Sequence, residues 1–365
     1  MASKAFTTGS LKELWRVTYP LMISALSTFL MITVDRYFLG IYSKDAMNAS
    51  TAAGTFVWAI ILTWTTMAMM AEIFVAQFNG AKKFDKLGTP VWQMIWFSLL
   101  SFAFFIPFGI WGNGLVYSAE TQPMQVEYTR WMMFAGPPFV VLNAVSAFFI
   151  GQGKTTIIKW MAILGNLVNV LLDPLLIFGY KDIIPPMGIP GACIATGIGA
   201  IVQVVVLWKV FLNKKNRAEH GTGNWRFNLT LFKGCLRVGL PPSLSVGLEV
   251  MGWAAFYKMM SECGQIHIDS ATISQTILML FLFFGFALEK GCATVAGNLI
   301  GAGLISKMKT LMKSGMTLLF SYSVLLVVFL VIFPDILIDI FTQHHLSGAA
   351  GEVPLVELGI MAKVK

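Results

Sequence analysis

Charge is scarce in this sequence. Only 12% of its 365 residues are Asp, Glu, Lys or Arg, about half the share in a soluble globular domain. That shortage excludes an ordinary water-facing surface and points to a polytopic membrane protein. Histidine and cysteine are equally sparse, with four of each. The cysteines (193, 235, 263 and 292) lie far apart without CxxC spacing, so neither a disulfide framework nor a thiolate metal site is expected. His344 and His345 adjoin, and such a pair reads as solvated surface. HExxH, GxSxG and clustered Cys/His patterns are missing, so the chain is not expected to be an enzyme or to need a cofactor. GQGKT (151–155) is no phosphate loop, because Phe148 stands where the first glycine would have to be. The N-terminus also lacks a cleavable signal pattern, so the first span is expected to serve as its own targeting signal.

Apolar bulk is abundant: 56% of residues are hydrophobic, with 29 Phe and 21 Met. A bilayer span needs about 20 mostly apolar residues. Candidate spans lie near 17–40, 52–79, 92–114, 125–150, 157–179, 191–213, 236–258, 271–299 and 314–334, and a tenth begins near 355. Eighteen of the 26 basic residues fall in the N-terminal segment and every second connection, against three in the alternate connections. By the positive-inside rule the N-terminus is cytoplasmic. The net charge of +8 is therefore a topology signal, and no nucleic-acid partner is expected.

The longest polar stretch, residues 211–234, follows the sixth span and reads as a cytoplasmic linker; a cysteine at Thr222 should then be shielded from outside reagents. It separates two related halves. RVTYPLMIS starts at Arg16 and RVGLPPSLS at Arg237, an offset of 221 that places Pro20 on Pro241 and Gly80-Ala81 on Gly301-Ala302. Six spans separate the copies, so the repeat is parallel, with its axis along the membrane normal. The expected organisation is a six-helix lobe over 1–213, a linker over 214–235, and a second lobe over 236–365 with spans seven to nine and the start of a tenth.

Five acids fall inside spans: Asp35, Glu72, Asp173, Glu249 and Glu289. A charge at a helix centre costs about 2.5–3.5 kcal/mol, so each needs a reason. Asp35 and Asp173 lie at matching depth, five and six residues before Gly40 and Gly179. Asn169 shares a helix face with Asp173 at i,i+4 spacing. Pro174 interrupts that span and leaves the Val170 carbonyl without its usual donor. Two carboxylates, an amide and a loosened carbonyl suit Na⁺ or a proton. Arg36 is a poor structural partner for Asp35, because adjacent helical residues do not face each other. Glu249 is expected to line a water-filled cavity. Glu72 and Glu289, in the inner halves of spans two and eight, suit gating or helix pairing, with Lys290 beside Glu289.

The stretches RVTYPLMIS with VDRYFLG, VAQFNGAKK, FFIGQGKT, NLVNVLLDPLLIFGY, GIPGACIATG, RVGLPPSLSVGLE and VAGNLIGAG resemble the multidrug and toxic compound extrusion family of cation-coupled exporters. That resemblance covers nearly the whole chain, and the fifth-span NxxxDPxxxFG pattern is its most specific element. It implies an all-α fold with two six-helix lobes around a central cavity, of which the second lobe is incomplete here. By motif, a first-lobe cation or proton site falls on Asp35, Asn169 and Asp173, with Thr196 as a further member. Glu249 matches the second-lobe acid, and Pro20 a proline linked to bending of the first span. The implied function is Na⁺- or H⁺-driven export of organic cations, drugs or other amphipathic compounds across a bacterial inner membrane, by a monomer. A lipid-linked saccharide flippase of the same superfamily is the alternative, and it calls for a basic cavity. An inactive truncated remnant is another.

Overall fold

A computed structural model describes residues 6–332 apart from positions 113–115, 118, 119, 121 and 182. The expected tenth span and the His344–His345 pair lie outside the described residues. With lipid around it, a chain can satisfy its backbone polar groups only within helices or a closed barrel, and the described residues take the helical solution. In order these are α1 (Leu11–Tyr42), α2 (Lys44–Met69), α3 (Ala71–Gly80), α4 (Gly88–Pro107), α5 (Pro123–Gly151), α6 (Thr155–Ile177), α7 (Ile189–Phe211), α8 (Lys214–His220), α9 (Leu229–Cys263), α10 (Gln265–Gly301) and α11 (Met308–Ile332). Among the described residues, extended pairing is limited to one bridge, Tyr180 to Ile184, in the α6–α7 loop. Among the described residues, seven helical segments are long and apolar enough to cross a membrane.

The sequence starts α1 with a side-chain N-cap. The Ser10 side chain accepts from the Glu13 amide at 3.5 Å, which satisfies a donor that a helix start leaves open, and the Glu13 carboxylate accepts from the Gly9 amide just before the helix at 2.8 Å. The second span is divided at Met70, where the Met70 amide donates to the Met67 carbonyl at 3.2 Å. Pro174 does not end α6, contrary to the sequence reading: the helix runs on to Ile177. A proline removes only one ladder bond, and this one lies in the last turn, so little pairing is forfeited. In the same way α1 continues through Pro20, and α9 through Pro241 and Pro242.

The residues form two compact units, Met1–Met251 with Phe286–Gly315, and Gly252–Gly285 with Met316–Lys365. Within the second, the rings of Phe284 and Tyr322 stack 4.2 Å apart. Within the first, α3 crosses the end of α10 in backbone contact. A Cβ added at Gly80 would lie 1.9 Å from the Asn298 carbonyl oxygen, and one added at Gly301 would lie 2.0 Å from that of Gln77. These two contacts exchange under the offset of 221 residues. A Cβ at Gly297 would stand 2.7 Å from the Cβ of Ala76, which is its own counterpart under that offset. The pseudo-twofold axis between the repeats therefore passes between Ala76 and Gly297. Asn79 Nδ2 donates to Asn298 Oδ1 at 2.6 Å, and Asn298 Nδ2 donates to the Gly151 carbonyl at 2.9 Å, all of it buried.

The 211–234 stretch is more ordered than a linker of its composition suggests. Asn213 caps α8, Gly221 closes it with φ of 62°, and α9 already begins at Leu229. Side chains of α4 hold the intervening backbone. Trp92 Nε1 donates to the Thr222 carbonyl at 2.8 Å, Gln93 Nε2 to the Arg226 carbonyl at 3.1 Å, and Gln93 Oε1 accepts from the Asn228 amide at 2.8 Å. Thr222 is fully buried, so a cysteine there would report burial rather than sidedness.

Candidate functional site

Three helices bring the predicted first-lobe residues together, and close backbone approach is what allows such short side chains to meet. On α6 and α7, which run antiparallel, a Cβ at Gly199 would stand 2.8 Å from the Gly165 carbonyl oxygen, and one at Gly191 would stand 2.5 Å from that of Leu176. Small residues of this kind let membrane helices touch. Between those two contacts, Asn169 Nδ2 reaches Thr196 Oγ1 at 3.3 Å and Asp173 Oδ1 at 3.4 Å. The first helix runs parallel to α6. Asn166 Nδ2 donates to the carbonyl and hydroxyl oxygens of Ser27, and two turns further along Asp35 enters the cluster.

Thr196 is the hub. Its hydroxyl lies 2.9 Å from Asp35 Oδ2 and 3.0 Å from the Ala192 carbonyl oxygen. One hydroxyl has one proton, so both acceptors compete for it. Asn169 and Asp173 are wholly buried, and Asp35 is half-buried. Three oxygens of the cluster, Asp35 Oδ1, Asn169 Oδ1 and Asp173 Oδ2, are buried without a hydrogen-bond partner in the protein. Buried polar atoms ordinarily find partners, so three orphan acceptors within one cluster call for a ligand that accepts electron pairs. Hard oxygen donors of this kind fit Na⁺ or a proton. Among the described residues, neither Asp35 nor Asp173 forms an ion pair.

Beside Asp35 and Thr196 lies a narrow cavity of about 10 Å³, lined also by Arg36, Trp58, Tyr128 and Cys193. That is room for roughly one water-sized guest. The i,i+1 argument therefore holds only in part. Arg36 makes no ion pair with Asp35, yet its long side chain reaches the same cavity. Tyr128 escaped the sequence reading. The available signal was its place early in α5, at the membrane end that α1 reaches with Asp35.

The remaining predicted residues stand apart. Glu249 on α9 and Glu289 on α10 are exposed, and Glu289 forms no ion pair with Lys290 among the described residues. Glu72 on α3 is 4% exposed, its Oε2 atom lacks a partner, and Lys290 and Glu289 are close enough to act on it electrostatically. Pro20 is buried within α1. A Glu72→Gln substitution keeps the shape of this side chain, and transport is expected to fall by no more than about threefold, measured as initial efflux rate.

A family model described as MatE matches residues 20–175 and again 241–354. The chain belongs to the MatE family. The two matched segments begin 221 residues apart, the offset already seen in the sequence and in the α3–α10 crossing. MatE proteins are transporters, not enzymes. Among relatives named "Probable multidrug resistance protein NorM", the one from Thermotoga maritima is 23% identical over 357 residues, covering 96% of this chain and 76% of the relative. The one from Haemophilus ducreyi is 24% identical, covering 92% and 74%. A solved structure described as the outward-facing conformation of a multidrug resistance MATE family transporter of the MOP superfamily matches with a TM-score of 0.78 at 19% identity, covering 93% of this chain and 75% of that one. A MATE crystal structure in the bent conformation also matches at 0.78, with 21% identity and coverage of 91% and 74%. At these identities the solved structures speak for the MatE fold alone.

Proposed function

We propose that this MatE chain is a secondary antiporter that exports organic cations, drugs or other amphipathic compounds in exchange for Na⁺ or H⁺. The observation that carries this reading is the trio of orphan oxygens on Asp35, Asn169 and Asp173, tied together through Thr196 and left without a neutralising ion pair. A carboxylate pair inside a membrane is costly unless something neutralises it, and an ion that arrives and leaves does so only during part of a cycle. Binding at this site on one side of the membrane and release on the other would let the cation gradient drive export. Glu249 would attract cationic substrates in the second lobe, and exposed aromatic side chains would add cation–π contacts. Pro20 would serve as the place where α1 bends between states. The names of the NorM relatives support the substrate class.

The test uses membrane vesicles carrying this chain, loaded with a fluorescent organic cation and given a Na⁺ gradient or a pH gradient in turn. Accelerated dye movement under one gradient, reversed when the gradient is reversed, is the expected result. Movement equal to that of empty vesicles under both gradients would sink the proposal.

The N-terminus is placed on the cytoplasmic side of a bacterial inner membrane, with the protein acting as a monomer. Asn224 is exposed beside the buried Thr222, so Asn224→Cys is the better topological reporter. It is introduced into a chain whose exposed Cys263 has been replaced. An impermeant maleimide should label Asn224→Cys in inside-out vesicles at least tenfold more than in intact cells. Labelling of intact cells stronger than that of inside-out vesicles would reverse the assigned orientation.

A further inference from the structure

We propose that Arg36 is a fixed internal counter-charge that limits the first-lobe site to one monovalent cation at a time. The inference deepens the antiporter reading and rests on it. Arg36 lines the same cavity as Asp35 and Thr196. Its guanidinium turns across that cavity toward α2 and α5: Nη2 lies 3.9 Å, and the Tyr128 hydroxyl 3.5 Å, from where a Cβ would stand on Gly54. A side chain there would meet both groups, and glycine leaves the space between them free. Among the described residues Arg36 forms no ion pair, so its charge is spent on no single acid. Guanidinium does not lose its proton in proteins, which makes this charge permanent through the cycle.

The charge count then follows. Asp35 and Asp173 together carry −2 when ionised, and Arg36 carries +1. One Na⁺ or one proton brings the site to neutrality, and a second cation would leave it with a net positive charge in a medium of low dielectric. Without Arg36, one cation leaves a residual −1, and a second becomes acceptable. Exposed Glu127 and Arg130 flank Tyr128 on α5. They do not line the cavity, and water screens them. A plain anchoring role for Arg36 at the membrane surface would need only its length and polarity and would not change how many cations the acids take up.

The test is calorimetric titration of the purified full chain with NaCl at pH 8, with released protons followed by an indicator dye. Wild type should take up one charge per chain, lost in Asp35→Asn. Arg36→Gln should bind the first Na⁺ about tenfold tighter, as expected when a unit charge within several ångströms is removed. It should then take up a second charge, as Na⁺ or retained proton. Arg36→Lys should keep the wild-type count. Arg36→Gln with wild-type affinity and count, against a signal still lost in Asp35→Asn, would overturn the role of Arg36 and leave the cation site standing. Two charges taken up by wild type would overturn it without recourse to any variant. A wild type with no Asp35-dependent uptake would remove the cation site itself, and the role of Arg36 with it.

Discussion

Asp35→Asn and Asp173→Asn are each expected to reduce gradient-driven efflux to the level of empty vesicles while the protein still inserts and elutes as a folded species. Asparagine keeps the shape of aspartate and its ability to accept a hydrogen bond, so the Thr196 hydroxyl retains a partner at position 35. What disappears is the charge. An amide neither takes up a proton near neutral pH nor offers a carboxylate to Na⁺, and the exchange that links export to ion entry stops. Asp173→Asn has a second consequence. The Asp173 carboxylate accepts from Asn169 Nδ2 at 3.4 Å, and an asparagine can turn its own amide group toward that donor. Removing a buried unpaired charge relieves a desolvation cost, so neither variant should melt below wild type, and Asp173→Asn, being fully buried, should melt above it. Thermal unfolding in detergent read alongside efflux separates the two effects. Wild-type efflux from both variants under either gradient would make the pair structural and remove the coupling assignment. Lost efflux together with a sharply lowered melting temperature would mean that the charge holds the fold.

The second large effect concerns packing. Gly80→Ala places a methyl group 1.9 Å from a backbone carbonyl oxygen of α10, and a backbone atom cannot swing aside as a flexible side chain does. Overpacking of this kind typically costs about 1–3 kcal/mol, occasionally more. The buried Asn79–Asn298 hydrogen bond at 2.6 Å would have to lengthen with it. Gly301→Ala meets the Gln77 carbonyl at 2.0 Å and should cost a similar amount, because the two contacts are exchanged by the repeat. Gly252→Ala is the control. It too lies in a helix, nothing stands within 4 Å of its added Cβ, and alanine favours a helix by about 0.8–1.0 kcal/mol over glycine. Melting temperatures should therefore fall for the first two variants and hold or rise for the third. Equal temperatures for all three would show that the α3–α10 contact is looser than these distances state.

Much of this was legible in the sequence, for identifiable reasons. Lipid removes every backbone option but a few, so apolar length alone located the seven helical segments that, among the described residues, are long and apolar enough to cross a membrane. The offset of 221 residues was visible because glycines and prolines resist substitution where backbones touch or bend. Asp35, Asn169 and Asp173 stood out because polar atoms inside a span are expensive, whereas Thr196 entered only through the family resemblance. What escaped were contacts made by groups that every residue has. The Trp92 and Gln93 side chains hold backbone carbonyls and an amide between Thr222 and Asn228, and no residue identity marks a carbonyl as a partner. Thr222, polar and surrounded by polar residues, gave no sign of its burial. Pro174 was read as a break because proline lacks a donor, although a helix one turn from its end has little left to lose. The reach of Arg36 into the cavity was missed for a different reason. Helical angle fixes where a Cβ points, and a side chain as long as arginine can undo that within its own length.

The contact between Ala76 and Gly297 has a consequence for how such a protein can be built. Two separate copies of one six-helix chain, docked about a twofold axis, must place the same residue on both sides of it. An alanine on each side would bring two methyl carbons to 2.7 Å, the distance a Cβ at Gly297 would have from that of Ala76, so a homodimer of this geometry is confined to a glycine pair. A single covalent chain is free of that rule. It sets Ala76 against Gly297, keeping the helix-favouring residue on one face and the clearance on the other, an asymmetry that no dimer of identical chains can reach.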